Sequence, residues 1–513
     1  MPCSAGGGEG GVRPGIALFD PGADAPQAVH TEGAGLPRAG VRGRAVTRST
    51  RRREGALPRL AGAEPLSGPD RAWLRMDEPT NLMMVSGVLV FDREPDRAEV
   101  ERLIRDRLWS IPRFRCRVGR DRRGRPAWIE DAQASPARHL REEVLPAPGG
   151  DAELAELVSA LLGTPLDMEA PPWCFHLVRN YRGGGALVAR LHHCIADGIA
   201  LMLLLLSLTD REGRSGANPL FELFRRREGD AATAERLVAE MLPDAMKLLA
   251  RPARMRRAAP WPVRAAAFAA ALTRLALRPP DPRTPLKGRL GTAKRAAWSG
   301  PIPLEPIHRA RERCGGTVND ILLTAVAGGL GRYLRAKGSV PVRMSVRATV
   351  PVNLRPLERM WELGNEFGLV FLPLPIGVAD PVERFRILRR RLSSLKRSAE
   401  PAVVETLLRL VSRVPRAVQS GVVRAFATKA TTVVTSVPGP RQPLSLAGRP
   451  ITGMFFWVPQ SGRLGLGISI CSYAGSVRLG VASDARLIPD PERIVREIEQ
   501  DLDETTERLA APA

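Results

Sequence analysis

From Leu66 onward the chain keeps switching between the two hydrophobic periods of secondary structure, and this switching restricts its fold more than any other feature. Asp70 to Arg75 reads as a short helix, and Met84-Val85-Ser86-Gly87-Val88-Leu89-Val90-Phe91 then reads as a strand. Ala186-Leu187-Val188-Ala189-Arg190-Leu191 is a second strand, Gly198 to Leu208 a buried helix, and Asp320 to Leu334 another helix. Alternation of this kind predicts an α/β (α+β) architecture. With 513 residues, 44% of them apolar, the chain can bury one large or two medium cores. Residues 228–295 are helical stretches separated by proline clusters such as Arg278-Pro279-Pro280-Asp281-Pro282, which suits a crossover between domains over 63–227 and 296–511. Residues 1–62, rich in Gly, Pro and Arg and without sustained apolar periodicity, read as a disordered basic extension.

Composition removes several classes of function. Six scattered cysteines show no CxxC spacing and no histidine grouping to complete a metal site, so neither disulfides nor a structural metal is expected. The N-terminus lacks the basic stretch and long apolar segment of a secretory signal, which makes a cytoplasmic location the expectation. Ile199 to Leu206, the longest apolar run, is far short of the roughly 20 residues that cross a bilayer, so no transmembrane helix is expected. Against 54 acidic residues stand 77 basic ones, a net charge of +23. Such an excess suits anionic membranes, nucleic acid or polyphosphate ligands, or reflects arginine usage without function. Nucleic acid fits least, because aromatics are 5% of the residues and no nucleic-acid motif occurs. Arg264, Arg274 and Arg278 fall on an arc of about 80° beside Phe268, Leu272 and Leu275. That pattern serves a helix lying on a membrane and a helix packed on its own protein equally well.

The chemistry is concentrated in His192-His193-Cys194-Ile195-Ala196-Asp197-Gly198, where a strand gives way to a helix. Finding His-His-x-x-x-Asp-Gly by accident in a chain with six histidines has odds of roughly a few in ten thousand. Neighbouring strand side chains point to opposite faces, so only one of the two histidines can act on a substrate. A neutral imidazole with a pKa near 6.5 can accept a hydroxyl proton, after which the oxygen can attack a thioester. Asp197 is placed to orient the motif by an ion pair, and Gly198 to allow a tight turn into the helix. The plain alternative is a pair of satisfied core histidines.

The sequence resembles the bacterial wax ester synthase/diacylglycerol acyltransferases, within the chloramphenicol acetyltransferase-like superfamily of CoA-dependent acyltransferases. Beyond the histidine motif, the resemblance rests on Leu66-Ser67-Gly68-Pro69-Asp70 with Met76-Asp77-Glu78-Pro79-Thr80-Asn81, and on Thr164-Pro165-Leu166-Asp167 with Pro172-Trp173. In the second half it rests on Thr317-Val318-Asn319-Asp320, Val350-Pro351-Val352-Asn353-Leu354-Arg355, Gly364-Asn365, Ser436-Val437-Pro438-Gly439-Pro440 and the stretch from Ser472-Tyr473 to Asp484. These blocks span about residues 66 to 508. The resemblance implies two chloramphenicol acetyltransferase-like domains with a tunnel between them, and no cofactor beyond acyl-CoA as co-substrate. His193 would deprotonate a lipid alcohol, diacylglycerol or a fatty alcohol, in a ternary complex. His192 would support it, Asp197 would hold the motif's geometry, and Asn319 and Asp320 would help shape the site. Asn319 also reads as a helix N-cap, and Pro351, Arg355, Gly364 and Asn365 as turn residues. Peripheral contact with the inner membrane or lipid droplets is a further implication, and no oligomeric state is indicated. Two rival readings stand: a condensation-type enzyme using carrier-bound acyl groups, and a non-enzymatic lipid-binding or droplet-coating protein. Ile199-Ala200-Leu201-Met202 is bulkier than the family's usual small residues after the motif, and Pro285-Leu286-Lys287-Gly288 lacks its Phe-Asn pair, so acceptor choice is left open.

Overall fold

The computed structural model describes residues 63–211, 221, 236, 261–338, 341–356, 359, 362–396, 398–460 and 462–511. The expectation for residues 1–62, and most of that for 228–260, lies outside the described residues. Elsewhere the periodicities translate into elements nearly as read: helix Gly68–Met76, strand Met84–Phe91, strand Gly184–His192, helix Gly198–Ser207 and helix Val318–Ala336.

Two seven-stranded mixed sheets organise the chain. The first runs in the order Leu140–Val144, Trp173–Tyr181, Gly184–His192, Met84–Phe91, Arg449–Trp457, Leu444–Leu446, Asp210–Arg211. Its central strands are apolar almost throughout because both faces are covered. On one face Leu89, Leu187 and Leu191 pack with the helices Arg97–Asp106 and Gly198–Ser207, and on the other Val88, Val178 and Val188 pack with helix Asp151–Gly163. Arg190, 2% exposed on that second face, donates to the carbonyl of Thr164, the residue that ends helix Asp151–Gly163. The negative end of the helix thus faces a buried guanidinium.

The second sheet carries Ser476–Asp484, Leu466–Tyr473, Thr432–Val437, Val346–Asn353 and Phe367–Leu374 in that order, with Ile302–Pro303 and Lys294–Trp298 both paired to Ser476–Asp484. Helices Val318–Ala336 and Pro491–Ala510 cover it and pack against each other at very close range. A Cβ on Gly329 would come within 2.6 Å of the backbone of Ile498, so only glycine admits this approach.

The expected division into 63–227 and 296–511 is crossed by the chain. Arg449–Trp457, from the second segment, pairs antiparallel with Met84–Phe91 in the first sheet. Without it, Met84–Phe91 would present an apolar strand edge to water. The amphipathic arginine helix is real, over Trp261–Leu277, but Arg278 is no free membrane contact. It makes two hydrogen bonds to Glu400, 2.8 and 3.1 Å long, and lies over the Phe371 ring. Ala271 and Leu275, with Phe268, pack inward against Val403 and Val404. The side chain of Arg264 lies outside the described residues. Among the described residues no helix is long and apolar enough to cross a membrane.

Candidate active site

The motif begins with the last residue of a strand and ends with the cap and first residue of a helix. His192 closes strand Gly184–His192 opposite Met84, and His193 leaves the ladder with its N–H bonded to the Met83 carbonyl at 2.7 Å. Both histidines are buried, at 1% and 7% exposure, so the expected inward and outward pair becomes two inward-facing rings with different neighbours.

His192 faces Asp77, whose Oδ1 is 3.7 Å from Nε2 and also accepts the Met83 N–H. Burial drives this ring toward its neutral form, against an upward pull on its pKa from Cys194 and Asp77. The backbone N–H of Cys194 decides between them, because it donates to Nδ1 at 3.1 Å and so requires that nitrogen to be unprotonated. The His192 ring is therefore neutral in this arrangement.

His193 is enclosed by residues from three parts of the chain. Trp73, on helix Gly68–Met76, stacks on the ring with centroids 4.2 Å apart and planes 17° apart, and Phe367 approaches to 5.7 Å. Nδ1 lies 2.8 Å from Oδ1 of Asn365. The Asn365 amide is oriented by its other end: Nδ2 donates to Asp70 Oδ1 at 2.8 Å and to the His193 carbonyl at 2.7 Å. Oδ1 is then the acceptor, Nδ1 carries the proton, and Nε2 keeps its lone pair. Among the described residues Nε2 has no hydrogen-bond partner. Burial, outweighing the pull of Asp197, lowers the pKa of His193 to about 4, so the ring is neutral at physiological pH.

Asp197 has a structural task. Its side chain caps helix Gly198–Ser207 by accepting the Ala200 N–H at 3.0 Å, and its second oxygen pairs with Arg355 at 2.9 Å and accepts the Glu366 N–H. Arg355 also donates to the Gly364 carbonyl at 2.6 Å, and backbone bonds join Gly364 to Ile195 and Asp197. The second-half loop carrying Gly364 and Asn365 is thereby sewn to the motif. Gly364 has φ +112°, a conformation side chains resist, and it turns the chain so that the Asn365 N–H meets Asp70 at 3.0 Å.

Other expected residues lie differently. Gly198 has no positive φ and a Cβ there would meet nothing within 4 Å, so no tight turn calls for it; it opens the helix beside unfilled space. Thr317, not Asn319, caps helix Val318–Ala336, and the Asp320 carboxylate closes that cap by accepting the Thr317 N–H at 2.9 Å. Neither Asn319 nor Asp320 makes a hydrogen bond or ring contact to His193 among the described residues. Of the residues that meet His193 or its partner, Asp70 and Asn365 were legible only as members of sequence blocks and Trp73 only as part of a short helix, and none carried a separate chemical signal. Met202 and Leu205 line a small apolar cavity of about 30 Å³ between the motif helix and the first sheet, with Leu103, Met454 and Phe456. Among the described residues no three His, Cys, Asp or Glu side chains gather as a metal site.

Two sheets joined around a buried His-His-x-x-x-Asp-Gly motif define a chloramphenicol acetyltransferase-like acyltransferase fold. The chain belongs to the wax ester synthase/diacylglycerol acyltransferase family: the family's catalytic-domain model matches residues 66–322 and its C-terminal-domain model residues 363–506. A Mycobacterium tuberculosis protein named a probable diacylglycerol O-acyltransferase is 27% identical over 434 residues, covering 83% of this chain and 91% of the relative. The wax ester synthase/diacylglycerol acyltransferase of Marinobacter aquaeolei superposes with a TM-score of 0.63 at 23% identity, over 87% of this chain and 100% of that one. The starter condensation domain of rhizomide synthetase, solved as a mutant in complex with C8-CoA, matches with a TM-score of 0.52 at 15% identity, over 88% and 95% of the two chains. The protein is an acyltransferase.

Proposed function

We propose that the protein transfers a long-chain acyl group from acyl-CoA to the hydroxyl of diacylglycerol or a fatty alcohol, giving triacylglycerol or wax ester, with His193 as the base. One observation carries this reading: the neutral His193 ring is held with its proton on Nδ1 and its Nε2 lone pair unengaged. The hydroxyl proton passes to Nε2 while the alcohol oxygen attacks the thioester carbonyl carbon. The resulting tetrahedral oxyanion collapses, the carbon–sulfur bond breaks, and the proton on Nε2 passes to the departing thiolate, releasing CoA with a free thiol.

Direct transfer without an acyl-enzyme is supported by what surrounds the base. No serine, threonine or cysteine side chain makes a hydrogen bond to His193 among the described residues, and Cys194 packs into the apolar core. Acyl-CoA as donor is supported by the family and by the condensation domain of the same fold solved with C8-CoA. Diacylglycerol as acceptor is supported by the names of the mycobacterial relatives. Peripheral attachment to an anionic membrane or lipid-droplet surface is supported by the net charge of +23 and by exposed apolar side chains such as Val263, Leu277, Leu410 and Val418.

The test is to incubate the full-length protein with palmitoyl-CoA and either hexadecanol or dipalmitoylglycerol, following thiol release and identifying products by mass spectrometry. Ester formation dependent on added alcohol is expected. Thiol release without ester, or turnover only with carrier-bound acyl groups, contradicts the reading.

A further inference from the structure

We infer that Asn365, held by Asp70, is the positioning residue of the catalytic base, and that the enzyme uses an amide at the place where a hydrolase triad puts a carboxylate. The inference rests on His193 being the base. Three segments distant in sequence meet in one chain of hydrogen bonds: Asp70 Oδ1 to Asn365 Nδ2 at 2.8 Å, then Asn365 Oδ1 to His193 Nδ1 at 2.8 Å. All three residues are buried, at 2%, 6% and 7% exposure. Water therefore competes poorly for these bonds, and a misoriented amide would place its NH₂ against Nδ1–H with no way to relax.

Each member has one local reason for its place. Asp70 sits in the first turn of helix Gly68–Met76, where the helix's positive end favours an acceptor, and its N–H is held by Ser67. It takes two donors from one residue, the backbone and side-chain N–H groups of Asn365, which fixes that amide in position and in orientation. Asn365 closes the loop by donating to the carbonyl of His193 itself, so that ring and amide move as one unit. A carboxylate in place of the amide would also fix the tautomer but would favour a charged imidazolium before substrate arrives. The remaining charged groups around His193 are spoken for: Asp197 and Glu366 face Arg355, and Asp77 faces neutral His192. Because Asp70 and His193 come from the first half and Asn365 from the second, the base is set only when the two halves are docked.

The test uses the full-length protein and four variants, Asn365→Ala, Asn365→Asp, Asp70→Ala and Asp70→Asn, each checked for an unchanged melting temperature. Asn365→Ala and Asp70→Ala are expected to lower kcat at least about tenfold while KM for palmitoyl-CoA stays within about threefold, the size of effect that removing an orienting partner has elsewhere. Asp70→Asn, which keeps an acceptor, restores most of that loss. Asn365→Asp moves the acid limb of the kcat/KM profile up by at least about one pH unit, which a merely structural role would not do. An Asn365→Ala enzyme within about twofold of wild-type kcat, or an Asn365→Asp profile with its acid limb unmoved, overturns the inference. Nitrogen NMR of histidine-labelled wild type, with His193 assigned by its loss in His193→Gln, decides the matter without activity. A proton on Nδ1 supports the inference and a proton on Nε2 overturns it. Should wild type release no CoA with either alcohol, the substrate reading fails, while the NMR result still judges the positioning pair.

Discussion

Arg355 Nη2 lies 2.9 Å from Asp197 Oδ2, and both side chains are almost wholly withdrawn from water. Asp197 belongs to the first-half motif and Arg355 lies two residues past the second-half strand Val346–Asn353, so the pair joins the two halves close to His193. Removing one member strands the other as a buried, unpaired charge. Asp197→Ala is expected to cost about 3–5 kcal/mol of unfolding free energy, and Arg355→Ala about as much. The double variant should cost clearly less than the sum of the two. Denaturant unfolding of the three proteins measures this coupling, and strict additivity would show that the pair contributes nothing as a pair.

Trp73 excludes water from one face of the His193 ring. Since burial is what lowers the pKa of His193 to about 4, Trp73→Ala should let it rise toward the ordinary value near 6.5. The acid limb of kcat/KM then appears at higher pH, whereas Trp73→Phe leaves it near the wild-type position. An unmoved limb in the alanine variant would show that Trp73 is not what desolvates the ring.

The same pKa sets a pH dependence of stability. Above pH 6.5 the His193 ring is neutral in both folded and unfolded chains, and its full contribution is present. As pH falls from 6.5 to about 4, the unfolded chain takes up a proton that the folded one does not, and stability is lost across that window. His193→Gln removes this loss. The stability difference between wild type and the variant should therefore shift by about 3 kcal/mol between pH 7 and pH 4, read by denaturant unfolding at the two values. A difference independent of pH contradicts a buried neutral base.

Electrostatic attachment to a lipid surface predicts a salt response. The full-length protein should sediment with vesicles containing anionic lipid, more weakly with purely zwitterionic ones, and should be released as ionic strength rises from about 0.05 to about 0.5 M. Equal binding to both vesicle types would remove the role of the +23 charge.

The layered architecture was legible because periodicity is local: helix Gly198–Ser207 and strand Met84–Phe91 are set by their own residues. His193 was legible because its motif is rare. The insertion of Arg449–Trp457 beside Met84–Phe91, more than 350 residues away, leaves no local trace, since an apolar strand carries no mark of which strand it pairs with. Asn365 was hidden for a related reason. A Gly-Asn pair has the composition of a turn, and Gly364 does make one; only the approach of Asp70 converts the asparagine from turn chemistry into a contact with His193. The reading of Asn319 as a helix cap failed for a local reason, because Thr317 two residues earlier takes the cap that an asparagine also suits.

The measurement that bears most directly on the account is alcohol-dependent CoA release by wild type and by His193→Ala and His193→Gln, at equal folded concentration and saturating palmitoyl-CoA. If Nε2 of His193 takes the hydroxyl proton, both variants lose at least about a hundredfold in kcat with little change in KM. Turnover at the wild-type rate in either variant would place the base elsewhere and contradict the account.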